Sequence, residues 1–232
     1  MLLGFGFINQ FTPDRDTLTT QGQAEIEVVP DKVTVSLEIL TEGDTAQEAN
    51  QNNTAIFNQF LSSLVMQGFS RDDVKTQSLS VYEDYEWRNN QRVLNGYKAS
   101  HYVTVELNSD EADEIVEVID AAVNAGALLR SLQFELSQEL ENEYKAEALE
   151  LASQDARTKA EAIVSGQDKD LGKLVSISES NFNYNPWRLY DYAGADVEMA
   201  ASQAKETISI AGGIQPGERT ISATVRATYK IK

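Results

Sequence analysis

Hydrophobic and polar residues alternate along much of this chain. Glu218–Lys232 places Ile221, Ala223, Val225, Ala227, Tyr229 and Ile231 on one face and Thr220, Ser222, Thr224, Arg226, Thr228 and Lys230 on the other. A period of two predicts a strand with one buried and one wet face. Gln23–Val29 repeats it with Ala24, Ile26 and Val28. Lys32–Leu40 sets Val33, Val35, Leu37 and Ile39 inward against Thr34, Ser36 and Glu38 outward. Pro30-Asp31 between them predicts a turn that closes a β-hairpin.

Further strands are predicted over Val74–Trp87 (Leu79, Val81, Tyr85 and Trp87 in phase), Tyr97–Leu107, Leu128–Ser137 and Lys173–Ser178, with a weaker one near Thr207–Ile210. Asn89-Asn90 and Gln215-Pro216-Gly217 read as turns. Three segments change period to three and four. The first, about 44–67, carries Ala46, Ala49, Asn53, Ile56, Phe60 and Leu64 on one stripe, with Asp44 or Thr45 as its cap and Gly68 as its stop. The second, about 109–125, is capped by Ser109. The third, about 139–165, is rich in Ala and Glu and stops at Gly166.

The resulting order is β-β-α-β-β-α-β-α-β-β. It predicts an α+β fold, with antiparallel sheet packed against long helices. Strand, long helix, glycine, charged turn, strand, aromatic-rich stretch and strand occur twice, over about 32–107 and about 128–232. This is a β-α-β-β duplication at the level of pattern. Residues 1–19 stand apart as an apolar N-terminal arm or leader remnant, before a domain of 20–232.

Composition narrows the function classes. The 232 residues carry a formal net charge of −18. Such a field repels phosphate backbones and anionic headgroups, so no nucleic-acid partner is expected. With no cysteine there is neither a disulfide nor a thiolate site. Met1–Phe11 is apolar and too short to span a bilayer. It reads as a structured leader, as the remnant of a trimmed or missing membrane-associated segment, or as an arm for a neighbouring subunit.

Several segments together are similar to one family. They are the Pro30-Asp31 turn, GYKASHYVTVEL (Gly96–Leu107), DAAVNAGA (Asp120–Ala127), ARTKAEAIVSG (Ala156–Gly166), LGKLVSISE (Leu171–Glu179) and IQPGERTISATVRATYKI (Ile214–Ile231). In order and spacing they resemble the SIMPL domain family of YggE-like and periplasmic immunogenic proteins, over about Thr20 to Lys232. The resemblance implies an exported protein of the periplasm or cell surface, an α+β fold, and no recognised enzymatic activity. It also implies relatives that build homo-oligomeric, channel-like rings, some of them stress-related. It supplies no catalytic motif. This chain departs from the family in its acidity and in its aromatic stretch at Asn181–Met199.

Catalytic chemistry is sparse. His101 is the single histidine, and its parity places it on the apolar side of its strand. Nucleophile-elbow, phosphate-loop and dinucleotide motifs are absent. The acidic residues of the helices read as solvated faces. No catalytic residue, cofactor or metal ligand is assigned. The remaining candidates are aromatic, because exposed aromatic clusters with arginine mark interfaces. They are Phe5, Phe7 and Phe11 in the arm, Trp87 and Arg88 before the turn, and Phe182, Tyr184, Trp187, Arg188, Tyr190 and Tyr192 in the stretch 181–199. Arg88 and Arg188 each follow a tryptophan, which invites stacking. The expected partner is the chain itself, in a non-catalytic homo-oligomer. The alternative is a monomeric ligand- or partner-binding module with the aromatic loop as its mouth.

Overall fold

The computed structural model describes residues 16–191 and 217–232. In chain order its elements are β1 (Thr17–Val28), β2 (Lys32–Gly43), α1 (Ala46–Gln67), a short 3-10 turn (Arg71–Asp73), β3 (Val74–Arg88), β4 (Gln91–Asn108), α2 (Ala112–Ala125), β5 (Leu128–Glu135), α3 (Gln138–Ser165), β6 (Leu171–Tyr184), β7 (Trp187–Asp191) and β8 (Arg219–Ile231). Helices and antiparallel strands are mixed along the chain, which makes the class α+β. The residues fall into two compact units. One holds Val28–Glu141 and Asn185–Arg219. The other holds the chain up to Glu27, Asn142–Tyr184 and Thr220–Lys232.

The first unit is organised around β2, the middle strand of a five-stranded sheet of order β3-β4-β2-β5-β7. Val33, Val35, Leu37 and Ile39 of β2 are fully buried. They meet Phe60 and Leu64 of α1, Ile115, Val118 and Ile119 of α2, and Leu129, Leu132 and Phe134 of β5. Each such side chain contributes about 1.5–3 kcal/mol on burial. Thr45 caps α1: its Oγ1 accepts the Glu48 N–H at 3.2 Å, and the Glu48 carboxylate accepts the Asp44 N–H at 3.0 Å. These two bonds fix the helix start. Gly68 ends the helix with φ 107°, where a side chain would strain the backbone.

Ser109 does not cap α2. The cap position is Glu111, which makes no side-chain cap bond. The Ser109 hydroxyl instead donates to the Pro30 carbonyl at 2.6 Å, and its N–H to the Asp31 carbonyl at 2.9 Å. Asp31 also accepts the Ser137 N–H at 2.6 Å. Pro30-Asp31 is thus pinned by polar partners far along the chain, and it closes no hairpin. The expected β1–β2 pair is corrected: β2 pairs with β4 and β5, whereas β1 pairs with β8 in the other sheet. Alternation states that a strand has a buried face, not which strand lies beside it.

The second unit is a three-stranded sheet of order β1-β8-β6 with α3 laid on it. Ile231 N–H donates to the Asp16 carbonyl at 2.9 Å, and the Thr19 and Thr228 hydroxyls meet at 3.0 Å. The buried face of α3 is a four-residue ladder of Ala148, Ala152, Ala156, Ala160 and Val164. These small side chains let the helix backbone reach β1. Thr20 Oγ1 donates to the Ala156 carbonyl at 2.8 Å, and a Cβ at Gly22 would lie 1.9 Å from the Ala152 carbonyl oxygen.

The two units share a strand order. After α1 come β3 and β4, with β2 beyond β4. After α3 come β6 and β8, with β1 beyond β8. The strand at the place of β2 is β1, while β5 pairs with β2 and β7. β1 opens at Thr17, inside the stretch read as an arm. The arm residues Met1–Phe11, the weak strand near Thr207–Ile210 and most of the turn at Gln215-Pro216 lie outside the described residues.

Candidate self-association surface

The β3–β4 hairpin is longer than the sheet it joins. The last β2–β4 partners are Gly43 and Tyr97. Beyond them, among the described residues, Gln91–Gly96 pair with β3 alone and make a two-stranded ribbon. Its turn is Asn89-Asn90, with φ 50° and 64°. Two successive positive φ values define the tight turn whose twist matches a hairpin, and asparagine tolerates them best after glycine. Gly96, at φ 109°, lies where a Cβ would stand 2.8 Å from the Gly43 carbonyl oxygen.

Cross-strand partners assign the faces. Leu79 lies opposite His101 and Val81 opposite Ala99, both buried on the side that α1 covers. On the same side Tyr85 lies opposite Leu94, and Trp87 opposite Arg92. The parity of Leu79, Val81, Tyr85 and Trp87 therefore holds, but the stripe runs out from under the helix. Leu79 is 49% and Trp87 74% exposed, and Val81, Tyr85 and Leu94 are exposed as well. The Arg92 guanidinium sits 3.7 Å from the centre of the Tyr85 ring, and the Tyr85 hydroxyl donates to Glu83. That bond, then burial, raises the Tyr85 pKa. From Leu79 to Lys98, Glu83, Asp84 and Glu86 are balanced by Arg88, Arg92 and Lys98. A chain of net charge −18 thus carries a locally neutral ribbon, whose mostly apolar stripe is interrupted by Glu83.

The aromatic candidates do not form one cluster. Trp87 is at the ribbon end, and its neighbour Arg88 pairs with Glu86. Trp187 is partly buried. It stacks on Phe134 at 5.3 Å between ring centres, with the Arg219 guanidinium 5.8 Å from its ring. Arg188 turns to Gln133 at 3.2 Å. In the second unit Phe182 lies opposite Ala223 beneath the Lys145 ammonium, 4.8 Å from its ring centre, and Tyr184 lies opposite Ile221. The backbone of Tyr190 pairs with Leu132. Phe5, Phe7, Phe11 and Tyr192 lie outside the described residues.

The stretch read as an irregular loop is strand from Asn181 to Tyr184 and from Trp187 to Asp191. The alternation Asn181-Phe182-Asn183-Tyr184 is the strand signal there. Leu94 and Arg92 both fall between Arg88 and Asn95, which reads as turn, and the register shift at Asp84/Tyr85 takes them out of phase with Tyr97–Leu107.

Buried polar groups elsewhere are satisfied internally. His101 Nδ1 lies 3.2 Å from Asn53 Oδ1, and Nε2 lies 2.9 Å from Thr76 Oγ1. The Asn53 amide nitrogen donates to the carbonyls of Ile39 and Ala99 at 2.8 and 3.2 Å. Its oxygen is therefore the atom facing the ring, so Nδ1 carries the proton and Nε2 accepts from Thr76. Burial lowers the His101 pKa. The three residues match nucleophile, base and orienter in chemical type. Here, however, the carboxamide is committed to two main-chain carbonyls that join β2, β4 and α1.

Glu38 does face away from the helices, but it is buried rather than solvated. It accepts the Arg130 Nε–H at 2.6 Å and the Ser100 hydroxyl at 2.6 Å. On α2, burial and then the neighbouring Glu111 raise the Glu114 pKa. The groove beside it encloses about 370 Å³, lined by Lys32, Asp73, Glu106 and Glu111 among others.

A family described as "SIMPL: Protein of unknown function (DUF541)" matches residues 18–229. The uncharacterized protein YggE of Escherichia coli (strain K12) is 25% identical over 225 residues, covering 93% of this chain and 90% of that protein. YggE of Shigella flexneri matches to the same extent. YggE of Edwardsiella ictaluri (strain 93-146) is 24% identical over 202 residues, 85% of this chain and 83% of its own.

Proposed function

This chain belongs to the SIMPL family, whose description gives no function, and on that premise we propose that it is an exported, non-catalytic cell-envelope protein that assembles with itself. The observation that carries this reading is the β3–β4 ribbon. Apolar and aromatic side chains are costly to leave in water, and a contiguous exposed stripe marks an interaction surface. On a chain of net charge −18, two copies approach most readily where the local charge cancels. The ribbon is such a place. A two-stranded ribbon is also marginal in water alone and gains from being covered.

The non-catalytic reading rests on the polar groups. The histidine is held between an amide and a hydroxyl, and Glu38 is held by Arg130 and Ser100. Each satisfies a neighbour rather than facing a substrate. Export follows from the family resemblance, and a cysteine-free chain tolerates an oxidising compartment. The assembly is a ring, a channel-like particle or a filament, with a stress-related role implied by the same resemblance.

Mass photometry across nanomolar to micromolar concentration at moderate salt, followed by particle imaging, tests the proposal. Discrete multimers are expected. A strict monomer, with and without Met1–Phe11, would overturn it.

A further inference from the structure

We infer that β3 pairs antiparallel with β3 of a second copy about a two-fold axis through Ser80, joining the two five-stranded sheets edge to edge. The inference rests on the self-assembly reading and specifies its contact. β3 ends its sheet and has β4 on one side only among the described residues. An open edge presents unpaired N–H and C=O groups, which native proteins guard with proline, lysine or bulges. From Ser78 to Tyr82 there is neither proline nor charge. The pairing with β4 is regular from Ser78 to Asp84, between shifts at Thr76/Ser78 and Asp84/Tyr85.

The register is readable. With Ser80 opposite Ser80, Leu79 meets Val81 on the helix side, twice by symmetry. Ser78 meets Tyr82 on the other side, and the regular pairing stops at the shift beside Gln77. Apolar faces apolar and no like charges oppose, as cross-strand pairs require. Centring the axis on Tyr82 would set Val81 against Glu83. Centring it on Ser78 would put the shift at Thr76/Ser78 inside the pairing. The symmetry is isologous, the commonest kind for homo-oligomers. Exposed Leu79 and Val81 then form a cluster across the join. Of the two edge strands of the other unit, β1 carries Glu25 and Glu27, and β6, with exposed Leu174, Val175 and Ile177, is the rival. Shifts at Leu171/Leu174, Leu174/Ser176 and Glu179/Asn181 break it into short regular runs, Ser176–Glu179 and Asn181–Tyr184, each a shorter template than Ser78–Asp84.

The chain has no cysteine, so single cysteines report without background. Ser80→Cys and, separately, Ser176→Cys are placed in the full chain and treated with a short bismaleimide at micromolar concentration. Ser80→Cys is expected to give covalent dimer at least about tenfold faster than Ser176→Cys, because directly opposed Cβ atoms lie about 4.5–5.5 Å apart. A Leu79→Lys/Val81→Lys variant, altered only at exposed positions, is expected to keep its melting transition and weaken dimerisation about tenfold or more. Equal rates at the two cysteines, faster reaction at Ser176→Cys, or dimerisation unaffected by the lysines would overturn the β3 edge while leaving self-assembly standing. A wild-type chain that is monomeric throughout would overturn both.

Discussion

Asn53 and His101 hold each other in place: the carboxamide oxygen of one lies 3.2 Å from Nδ1 of the other, and the amide nitrogen ties both to β2 and β4. An asparagine in the middle of a helix is a poor choice on propensity alone. Here it satisfies two main-chain carbonyls and a ring nitrogen at once, groups that would otherwise be buried without partners. Asn53→Ala should cost about 2–3 kcal/mol in a urea melt. Asn53→Asp, which cannot donate to both carbonyls, should cost no less.

The same pair sets a pH dependence. Burial holds the folded-state pKa of His101 below its ordinary value of 6.5. Below 6.5 the unfolded chain takes up a proton that the folded chain resists. The stability is therefore fully present above 6.5 and is lost as pH falls toward the folded pKa. His101→Gln should flatten the stability profile below 6.5, measured by denaturant titration at each pH. An unchanged slope would refute the assignment.

Gly22 should tolerate no side chain. An added Cβ meets the Ala152 carbonyl oxygen at 1.9 Å and the Ala156 nitrogen at 2.4 Å. Both are helix backbone, so neither can swing aside. Gly22→Ala should destabilise the second unit by about 1–3 kcal/mol or more, seen as a lowered melting temperature.

Buried Glu38 forms an ion pair with the partly buried Arg130. Arg130→Met alone leaves a buried carboxylate and should cost about 3–5 kcal/mol. Adding Glu38→Gln to it should restore much of that loss, as a double-mutant cycle would show.

Assembly should strengthen with salt. Raising ionic strength shortens the Debye length to about 8 Å at 0.15 M and screens the repulsion between acidic copies, while the apolar stripe is unaffected. Trp87→Ala removes a side chain that is 74% exposed. It should leave the melting temperature within a degree or two, yet lower the multimer fraction at every salt concentration.

Much of the fold is legible in the alternation. The buried faces of β2, β4 and β8 match their apolar parity, and Thr45 with Gly68 bounds α1 as capping chemistry requires. Partnership is not legible there. β1 and β2 adjoin in sequence but lie in different sheets, because alternation is blind to which edge a strand meets. Glu38 shows the same limit: parity gives its side of the sheet, and only its neighbours Arg130 and Ser100 explain its burial. Trp87 fails in the opposite sense. It has the parity of a core position, yet it stands on a ribbon that outruns the helix. Parity reports a face, and only helix length decides how far that face is covered.

The contact between Thr19 and Thr228 spans 209 residues. During synthesis β1 emerges early and β8 late. Until β8 arrives, β1 has no neighbour in its sheet, and closing so long a loop is entropically slow. The first unit draws most of its strands from one continuous segment and can fold without waiting. The second is held open until β8 has been made, so its folding trails that of the first.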